Sequence, residues 1–290
     1  MNKPPTIEKT KRQRSTKDPV NWKKPPIPDI STHLQTYLET SKAFKTQKSV
    51  NLSPTLDYIH VETDDKSWGC GYRNIMMLYS SLIQYPLFRA EFERKKLPLT
   101  LSIMDIQHTI EEGWKSGLDP RGFREFKGKL VATTKFIGST EMWVFFRYLN
   151  VPVQLIRFTD APLDLISFTC HFYSRQHDLQ RSSPRIGERI TSPMILQGNG
   201  HSKIIVGSIQ SKKALIILDP SSRTQISNLP DIKLCIKSLL NDSERIRSFS
   251  KLVDVVFVDE LCLLFPEHPL YQTSPGHLKL TTIPPLPEEE

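Results

Sequence analysis

A cysteine lies between two glycines in the stretch WGCGYRNI at residues 68–75. The apolar residues that follow recur at helical spacing, so a helix is predicted to start at or just after Cys70 and to end before Pro86. The unpaired N–H groups and the dipole at a helix N-terminus favour a thiolate, and the flanking glycines let a substrate approach closely. Cys70 is therefore a candidate nucleophile. The alternative is a small cysteine packed in the core, the commonest state of an intracellular cysteine.

A thiol that attacks an amide needs a base, which one of the eight histidines must supply. His201 is the candidate, because a polar residue and glycines precede it in LQGNGHSKIIVG and a β-rich run follows, which places the ring at the edge of a sheet. His60 and His108 fall on the faces of a predicted strand and a predicted helix, where packed or surface histidines are more common. His171 and His177 have no acidic or second cysteine ligand at the spacing of a metal site, so no metal is expected.

A carboxylate that could orient the imidazole is Asp219, which ends the run ALIILD before a Pro-Ser-Ser turn. If residues 201–210 and 214–219 form a hairpin, His201 and Asp219 lie near the same end of adjacent strands. The carboxylate can then accept the imidazole N–H, fix its tautomer and stabilise its charged form. The alternative is an aspartate that only caps a turn. A nucleophile on a helix, with histidine and aspartate on a sheet, predicts a papain-like arrangement.

The elements that must position these residues fall into two groups along the chain. Helices prevail early and strands late, which favours an α+β fold over alternating β and α units. Helical spacing predicts helices at residues 31–47, 70–85, 102–117, 139–150, 162–174 and 230–242. β-Rich runs predict strands at residues 56–61, 151–158, 193–198, 201–210, 214–220 and 254–265, of which the three between 193 and 220 form an antiparallel meander.

Charge is unevenly distributed over the 290 residues. The net charge is +8, and the first fifty residues hold eleven Lys and Arg against four Asp and Glu, a balance of +7. Residues 1–30 are rich in Pro, Lys and Thr and are predicted to be a disordered basic leader. The stretch KTKRQR at 9–14 is either a nuclear-import signal, a weak nucleic-acid contact or part of a solvated tail. Because the rest of the chain is nearly neutral, nucleic-acid binding is not expected as the main activity.

The remaining organisation follows from composition. Residues 31–47 are predicted to be an amphipathic helix that packs on the body or serves as a partner-binding arm, residues 50–268 the domain that carries Cys70, His201 and Asp219, and residues 269–290 a loose tail rich in Pro and Glu. No apolar run reaches the ~18 residues of a membrane span, and no apolar region follows the N-terminal charges as in a secretory signal. The four cysteines form no C-x-x-C pair. We expect a monomer in a reducing compartment, cytoplasmic or nuclear, without membrane association.

Five ordered motifs, WGCGYRNI, EEGWKSGLDP, KFIGSTE, LQGNGHSKIIVG and LDPS, resemble the papain-like ZUFSP/UfSP cysteine peptidases. The resemblance is closer to the ZUFSP branch, whose members are deubiquitinases, than to the proteases of the ubiquitin-fold modifier, in which the catalytic His follows the Asp in an Asp-Pro-His motif. Here Ser221 takes that position. The resemblance implies a papain-like α+β fold, with Cys70 as nucleophile, His201 as base, Asp219 as its orienting residue and Gln197 as oxyanion donor.

The resemblance also implies how a substrate is recognised. Ubiquitin ends in Arg-Leu-Arg-Gly-Gly, and Asp119 and Glu141 stand where the ZUFSP branch has acidic residues that pair with these arginines. Phe136 stands where an aromatic residue lines the channel for the glycines. From the residues alone, Asp119 would be an ordinary turn residue and Glu141 a first-turn helix residue.

The implied activity is hydrolysis of isopeptide bonds after the terminal glycine of ubiquitin, through a thioester and without metal or organic cofactor. Two alternatives are a protease for the ubiquitin-fold modifier or another ubiquitin-like protein, and a non-catalytic ubiquitin-binding module. The longer members of the ZUFSP branch carry zinc fingers and ubiquitin-binding modules that this sequence lacks. Linkage preference, which depends on such modules, is therefore open.

Overall fold

The computed structural model describes residues 22–23, 25–40, 50–53, 55–158, 163–182, 192–209, 214–222, 252–258 and 281–283. The helices in these ranges are α1 Ile30–Thr40, α2 Cys70–Leu82, α3 Pro86–Arg94, α4 Ile103–Lys115, α5 Pro120–Glu125, α6 Ser139–Tyr148 and α7 Leu163–Ser182. The strands are β1 Val50–Leu52, β2 Val153–Phe158, β3 Met194–Gly198, β4 His201–Ile209, β5 Ala214–Leu218, β6 Val253–Val258 and β7 Thr281–Ile283.

The described strands form one mainly antiparallel sheet in the order β1-β4-β3-β6-β2-β7, with β5 paired to β4. Among the strand pairs that the structure describes, only β2–β7 is parallel. The predicted α+β fold class is therefore confirmed. The antiparallel meander β3-β4-β5 is confirmed as well, because β4 pairs with β3 on one side and with β5 on the other.

Helices cover both faces of the sheet. Alternate residues of one strand enter different cores: Ile195 packs with α2, α4 and α6, whereas Leu196 packs with α7. Burial on both faces explains why these strands read as continuous apolar runs in the sequence. Helix α2 lies deepest, with every residue except Ser80 buried. Its polar side chains therefore need partners inside the protein, and these partners build the site.

A two-residue turn joins β3 to β4. Asn199 and Gly200 have φ of 52° and 71°, the two positive values of a type I′ hairpin turn. Asparagine and glycine tolerate such values best, which is why Asn-Gly occupies this turn. The turn makes His201 the first residue of β4 and pairs it with Gly198.

Five elements differ from the sequence predictions, among them the short strands β1 and β7, which no sequence pattern indicated; β7 lies within the predicted loose tail. The predicted strand at 56–61 is wrong: only Tyr58 pairs there, in an isolated bridge with Ile27. Helices α3 and α5 were missed because each begins with a proline at its first position, Pro86 and Pro120, where the missing N–H is not needed. In the sequence these prolines indicate a break rather than a start.

Several other predicted elements extend beyond the residues that the structure describes. Helix α1 ends at Thr40 within the predicted 31–47, and residues 41–49 lie outside the described residues, as do the predicted helix at 230–242 and residues 1–21 of the predicted leader. The predicted strand at 254–265 is present as β6 up to residue 258, where the description stops. Trp22 and Ile27 pack against the main core, so packing begins earlier than the boundary at residue 30 that composition suggested.

Candidate active site

Cys70 is the first residue of α2, and its side chain faces the start of β4. The residue is only 7% exposed. Burial acts to raise the pKa of the Cys70 thiol, but hydrogen bonds from His201 and Ser202, with the positive charge of His201, outweigh burial and bring the pKa below its ordinary value. The thiol therefore ionises at a lower pH than an ordinary cysteine.

Close packing explains the two glycines beside the cysteine. A Cβ atom on Gly69 would overlap the carboxylate of Asp65, and one on Gly71 would lie 2.7 Å from Cγ1 of Ile137. Both neighbours are buried. The glycines thus let the chain run tightly between the preceding loop and the loop before α6, with Cys70 between them.

A buried ion pair fixes the loop that leads into Cys70. Arg73 Nε and Nη2 donate to the two carboxylate oxygens of Asp65 at 2.8 and 3.0 Å, and both residues are less than 5% exposed. Asp65 Oδ1 also accepts the N–H of Glu62 at 2.6 Å. Bidentate pairs of this kind are geometrically selective, so the first turn of α2 and the loop before it form one rigid unit.

His201 lies between the thiol and Asp219. Its Nε2 is 2.9 Å from Asp219 Oδ1, which leaves Nδ1 as the ring nitrogen that can face sulfur. Hydrogen bonds with Asp219 and Cys70 raise the pKa of His201 to about 9, against the opposing effect of burial. The imidazole is therefore charged at neutral pH beside a thiol of lowered pKa.

Asp219 meets His201 through the β4–β5 hairpin, as the sequence predicted. Burial acts to raise the pKa of the Asp219 carboxyl, but His201, Lys203 and the N–H of Ser221 hold the pKa below its ordinary value. Lys203 Nζ lies 3.4 Å from Oδ2, and the Ser221 N–H donates to Oδ1 at 2.8 Å. Asp219 therefore also caps the turn, which was the alternative interpretation of this residue. The same oxygen, Oδ1, accepts the Ser221 N–H and contacts the imidazole.

Two polar residues that the sequence patterns did not single out complete the surroundings of the thiol. Asn74 Nδ2 donates to the Cys70 carbonyl at 2.9 Å and to Ser202 Oγ at 3.0 Å. Because an amide nitrogen only donates, Ser202 Oγ accepts here, and its own proton is left for the Cys70 sulfur, to which Ser202 hydrogen-bonds. Two sequence features could have identified these residues. Asn74 lies one helical turn after Cys70, and Ser202 directly follows His201.

Gln197 lies directly opposite Ser202 in the β3–β4 pair, so both side chains project from the same face of the sheet. That face contacts α2 through Ser202 and Asn74. Gln197 Oε1 is buried without a hydrogen-bond partner among the described residues. The structure therefore brings the predicted oxyanion donor to the side of the sheet that carries the thiol.

Asp119 and Glu141 lie on either side of Gly122, and each is 7% exposed. Both have the local roles that the sequence indicated: Asp119 Oδ1 accepts the Gly122 N–H at 3.0 Å, and Glu141 Oε2 accepts the Gly138 N–H at 2.8 Å. Within the described ranges neither carboxylate forms an ion pair, and Asp119 Oδ2 is buried without a hydrogen bond.

These two carboxylates, neither of which forms an ion pair among the described residues, affect each other. Burial raises the pKa of Glu141, the Gly138 N–H opposes the rise, and the nearby charge of Asp119 adds to it. Two buried acids of this kind are stabilised by a guanidinium, which can donate to both.

Phe136 is 55% exposed and lies in the loop before α6. Side chains of α2 and α4 hold this loop by its backbone: Tyr72, Gln107 and Glu111 hydrogen-bond to main-chain groups of residues 130–135. The next residue, Ile137, packs against Gly71 beside the thiol. An exposed aromatic ring is thus held on a fixed loop next to Cys70.

The other candidate histidines lie elsewhere. The ring of His60 stands edge-on to Tyr58, with 4.5 Å between centroids, and His108 lines a small surface cavity with Lys95 and Tyr148. In the ranges that the structure describes, no three His, Cys, Asp or Glu side chains are grouped as metal ligands. No described helix is long and apolar enough to cross a membrane.

The pKa of Cys70 is lowered and that of His201 is raised, the pattern typical of a sulfur nucleophile paired with its base. Fold and site together define a cysteine peptidase. Over residues 45–251 the chain matches peptidase family C78, and it belongs to that family.

Curated relatives extend the comparison. Zinc finger-containing ubiquitin peptidase 1 of Homo sapiens is 34% identical over 183 residues, which are 60% of this chain and 30% of that protein. Ubiquitin carboxyl-terminal hydrolase mug105 of Schizosaccharomyces pombe is 33% identical over 187 residues, which are 62% of this chain and 72% of that protein. The chain thus spans less than a third of the human relative. The crystal structure of UfSP from C. elegans covers 80% of this chain and 37% of its own, with 18% identity and a TM-score of 0.45.

Proposed function

We propose that this protein is a deubiquitinase that hydrolyses isopeptide bonds after the C-terminal glycine of ubiquitin. The observation that carries the proposal is the hydrogen-bonded series Cys70–His201–Asp219, in a chain about one-third identical to two proteins named as ubiquitin hydrolases. The relatives supply the substrate class, and the site supplies the chemistry.

The reaction runs in two steps. The Cys70 thiolate attacks the carbonyl carbon of the terminal glycine, and the resulting oxyanion receives hydrogen bonds from the Gln197 amide and from the Cys70 N–H at the start of α2. The His201 imidazolium gives its proton to the leaving lysine amine, the C–N bond breaks and a thioester forms. Neutral His201 then removes a proton from water, which attacks the thioester, releasing the ubiquitin carboxylate and the Cys70 sulfur. Asp219 holds the ring so that Nδ1 faces these atoms.

The acidic pair gives a reason to prefer ubiquitin. Asp119 and Glu141 are buried and form no ion pair among the described residues, and the pKa of Glu141 is raised by burial and by Asp119. An arginine of the Arg-Leu-Arg-Gly-Gly tail would remove this conflict by donating to both carboxylates. Phe136, exposed on the loop beside Cys70, would border the path of the two glycines.

A protease for another ubiquitin-like protein is the second candidate, because the thiol chemistry does not depend on which modifier is cleaved. It requires a modifier tail without the two arginines, and the acidic pair would then have no partner. A binding module without activity is disfavoured by the opposed pKa shifts of Cys70 and His201, which binding alone does not need.

The test is reaction with a panel of modifiers that carry a C-terminal thiol-reactive group, followed by cleavage of di-ubiquitins. We expect labelling by the ubiquitin probe that depends on Cys70. Glu141→Arg should reduce labelling by ubiquitin strongly and Asp119→Ala less, with alkylation of Cys70 by iodoacetamide unchanged. Preferred labelling by a different modifier would overturn the substrate assignment and leave the mechanism intact.

The mechanism has its own test. Because triad members act as a unit, His201→Ala should abolish turnover as completely as Cys70→Ala. Gln197→Ala should lower kcat by ~10²–10³-fold, the scale of one oxyanion donor. Asp219→Asn should leave the fold intact and lower activity less than His201→Ala, because the ring keeps a partner but favours the wrong tautomer. A folded His201→Ala protein with near wild-type turnover would contradict the mechanism.

A further inference from the structure

One stretch of chain touches both halves of the site. Residues 56–69, here the bridging segment, run from the side of the Asp219 turn to the start of α2. At one end, the hydroxyl of fully buried Tyr58 donates to the Asp219 carbonyl at 2.6 Å, and the N–H of Val61 donates to the Pro220 carbonyl at 2.9 Å. The turn that carries the carboxylate is therefore tied to the bridging segment twice.

The other end of the bridging segment holds the nucleophile. The Asp65 carbonyl accepts the Gly69 N–H at 2.6 Å, and its carboxylate holds Arg73 in the first turn of α2. Cys70 belongs to the helical layer and Asp219 to the sheet, so their separation depends on how these two layers are connected. The bridging segment is a direct connection between them.

A second stretch of chain fixes the bridging segment from outside. Ile27 and Tyr58 exchange two backbone hydrogen bonds of 2.9 and 2.8 Å, and the Lys23 N–H donates to Glu62 Oε1 at 2.7 Å. The ring of Trp22 lies 5.1 Å from the Arg73 guanidinium. The backbone of Tyr58 is thus held by Ile27, which gives the hydroxyl of Tyr58 a defined position.

We infer that Tyr58 is a positioning residue: through the Asp219 carbonyl it holds the Asp219 carboxylate against His201. This inference rests on the proposed thiol chemistry but not on the identity of the modifier. A side chain that loses a backbone anchor can move, and a displacement of about 1 Å in a catalytic group lowers rates by up to ~10²-fold.

The charged groups around the imidazole determine what a looser Asp219 would change. His201 faces Cys70 from α2 and Asp219 from the turn, Lys203 of β4 faces Asp219, and His60 packs on the Tyr58 ring. Asp219 favours the charged imidazole, and the charged imidazole favours the thiolate. Weaker contact between Asp219 and His201 must therefore make the thiolate less stable.

The experiment compares Tyr58→Phe with a matched control, Tyr79→Phe. Tyr79 is 1% exposed, and its hydroxyl likewise donates to a backbone carbonyl, that of Pro98, at 2.9 Å. Each variant loses one buried tyrosine–carbonyl hydrogen bond, but only Tyr58 touches the site. Both are measured for melting temperature, turnover of a fluorogenic ubiquitin conjugate, and the pH dependence of Cys70 alkylation by iodoacetamide.

We expect similar losses of melting temperature in the two variants. Tyr58→Phe should lower kcat by about tenfold and move the midpoint of the alkylation profile to higher pH, whereas Tyr79→Phe should stay within about twofold of wild type in kcat, with an unchanged midpoint. If Tyr58→Phe matches Tyr79→Phe in both measurements, the hydroxyl is only structural and the inference is wrong.

Two safeguards keep the test decisive. If Tyr58→Phe does not fold, Tyr58→Met, which also removes the hydroxyl and fills the space with a flexible apolar side chain, is measured in its place, and the same alkaline shift is expected. If wild type does not cleave ubiquitin conjugates, the proposed substrate fails, but the alkylation profiles still decide the role of Tyr58. An unshifted midpoint in a folded variant overturns the inference in either case.

Discussion

At the scale of single residues, the central feature is one proton between Cys70 and His201. The pKa of the thiol is lowered and that of the imidazole is raised to about 9. Such groups titrate as a coupled pair, so the active form is the thiolate–imidazolium pair. Asp219, Ser202 and Asn74 contribute by stabilising one or the other member, either directly or through a neighbour.

The pH dependence of turnover follows from these shifts. The acid limb should reflect ionisation of the pair, below the ordinary thiol pKa of 9.0, and the alkaline limb should fall near pH 9 as the imidazolium that protonates the leaving amine is lost. We therefore expect a bell-shaped kcat/KM profile for a ubiquitin conjugate. Asp219→Asn should move the alkaline limb to lower pH, because the raised pKa of His201 depends first on Asp219. An alkaline limb that does not move in Asp219→Asn would contradict the assigned partner.

Ser202 offers a second prediction at this scale. Its hydroxyl accepts from Asn74 and is left to donate to the sulfur, and a hydrogen bond to a charged group is stronger than one between neutral groups. Ser202→Ala should lower the alkylation rate of Cys70 at pH 7 roughly tenfold, with full recovery at a pH where the thiol is ionised anyway. Asn74→Ala should lower it less, because the Ser202 donor remains. Equal rates for Ser202→Ala and wild type across the pH range would exclude this donor.

At the scale of elements, the sequence predicted the nucleophile helix and the β3-β4-β5 meander well, because their patterns are local. Helical spacing after Cys70, an Asn-Gly turn and apolar runs each determine structure within a few residues. Residues 56–61, the first part of the bridging segment, were wrongly predicted as a strand, because the partners of Tyr58, Ile27 on one side and Asp219 on the other, are distant in sequence. For the same reason, sequence spacing did not indicate that Asp119 and Glu141 form a pair: their loops meet only in the folded protein.

The same loops predict a conflict between stability and recognition. The pKa of Glu141 is raised in the folded protein, so its charge opposes folding: the penalty is absent at pH values below the ordinary 4.5 and grows as the pH rises through the folded-state pKa. Glu141→Gln keeps an oxygen for the Gly138 N–H and removes the charge. It should therefore raise the melting temperature at pH 7 but not at pH 3.

The catalytic cost of this change should go the other way. Glu141→Gln should lower kcat/KM for the ubiquitin conjugate because the guanidinium loses a carboxylate partner, while iodoacetamide alkylation of Cys70 stays unchanged. A suitable control is Glu112→Gln at an exposed position of α4, where the ion pair with Lys115 lies on the surface; this variant should change neither measurement. If the melting temperature of Glu141→Gln is below that of wild type at pH 7, neighbouring groups stabilise the negative charge of Glu141 more than the structure indicates.

At the scale of the whole molecule, the two layers that carry the site are joined by contacts that local sequence patterns do not report. Helix α2 is buried almost entirely, so its polar residues Arg73 and Asn74 have their partners in the bridging segment and in β4. Composition alone divided the chain at residue 30, because the preceding residues are poor in large apolar side chains. The few that are present, Trp22 and Ile27, nevertheless pack on the body.

This packing divides the N-terminal region into two parts with different expected effects. Deletion of residues 1–21 should leave turnover of a fluorogenic ubiquitin conjugate within about threefold, since the composition of that stretch cannot build a core. Deletion of residues 1–29 should lower turnover by at least tenfold, because it also removes the Ile27–Tyr58 bridge and the Lys23 contacts with Glu62 and Asp64 that fix the loop before Cys70. Trp22→Ala in the full chain removes the contact of the ring with Arg73 without shortening the chain. Because the ring covers Arg73, this variant should lower turnover by an amount between those of the two deletions. Equal turnover of the two deletion proteins would show that residues 22–29 pack on the domain without supporting its site.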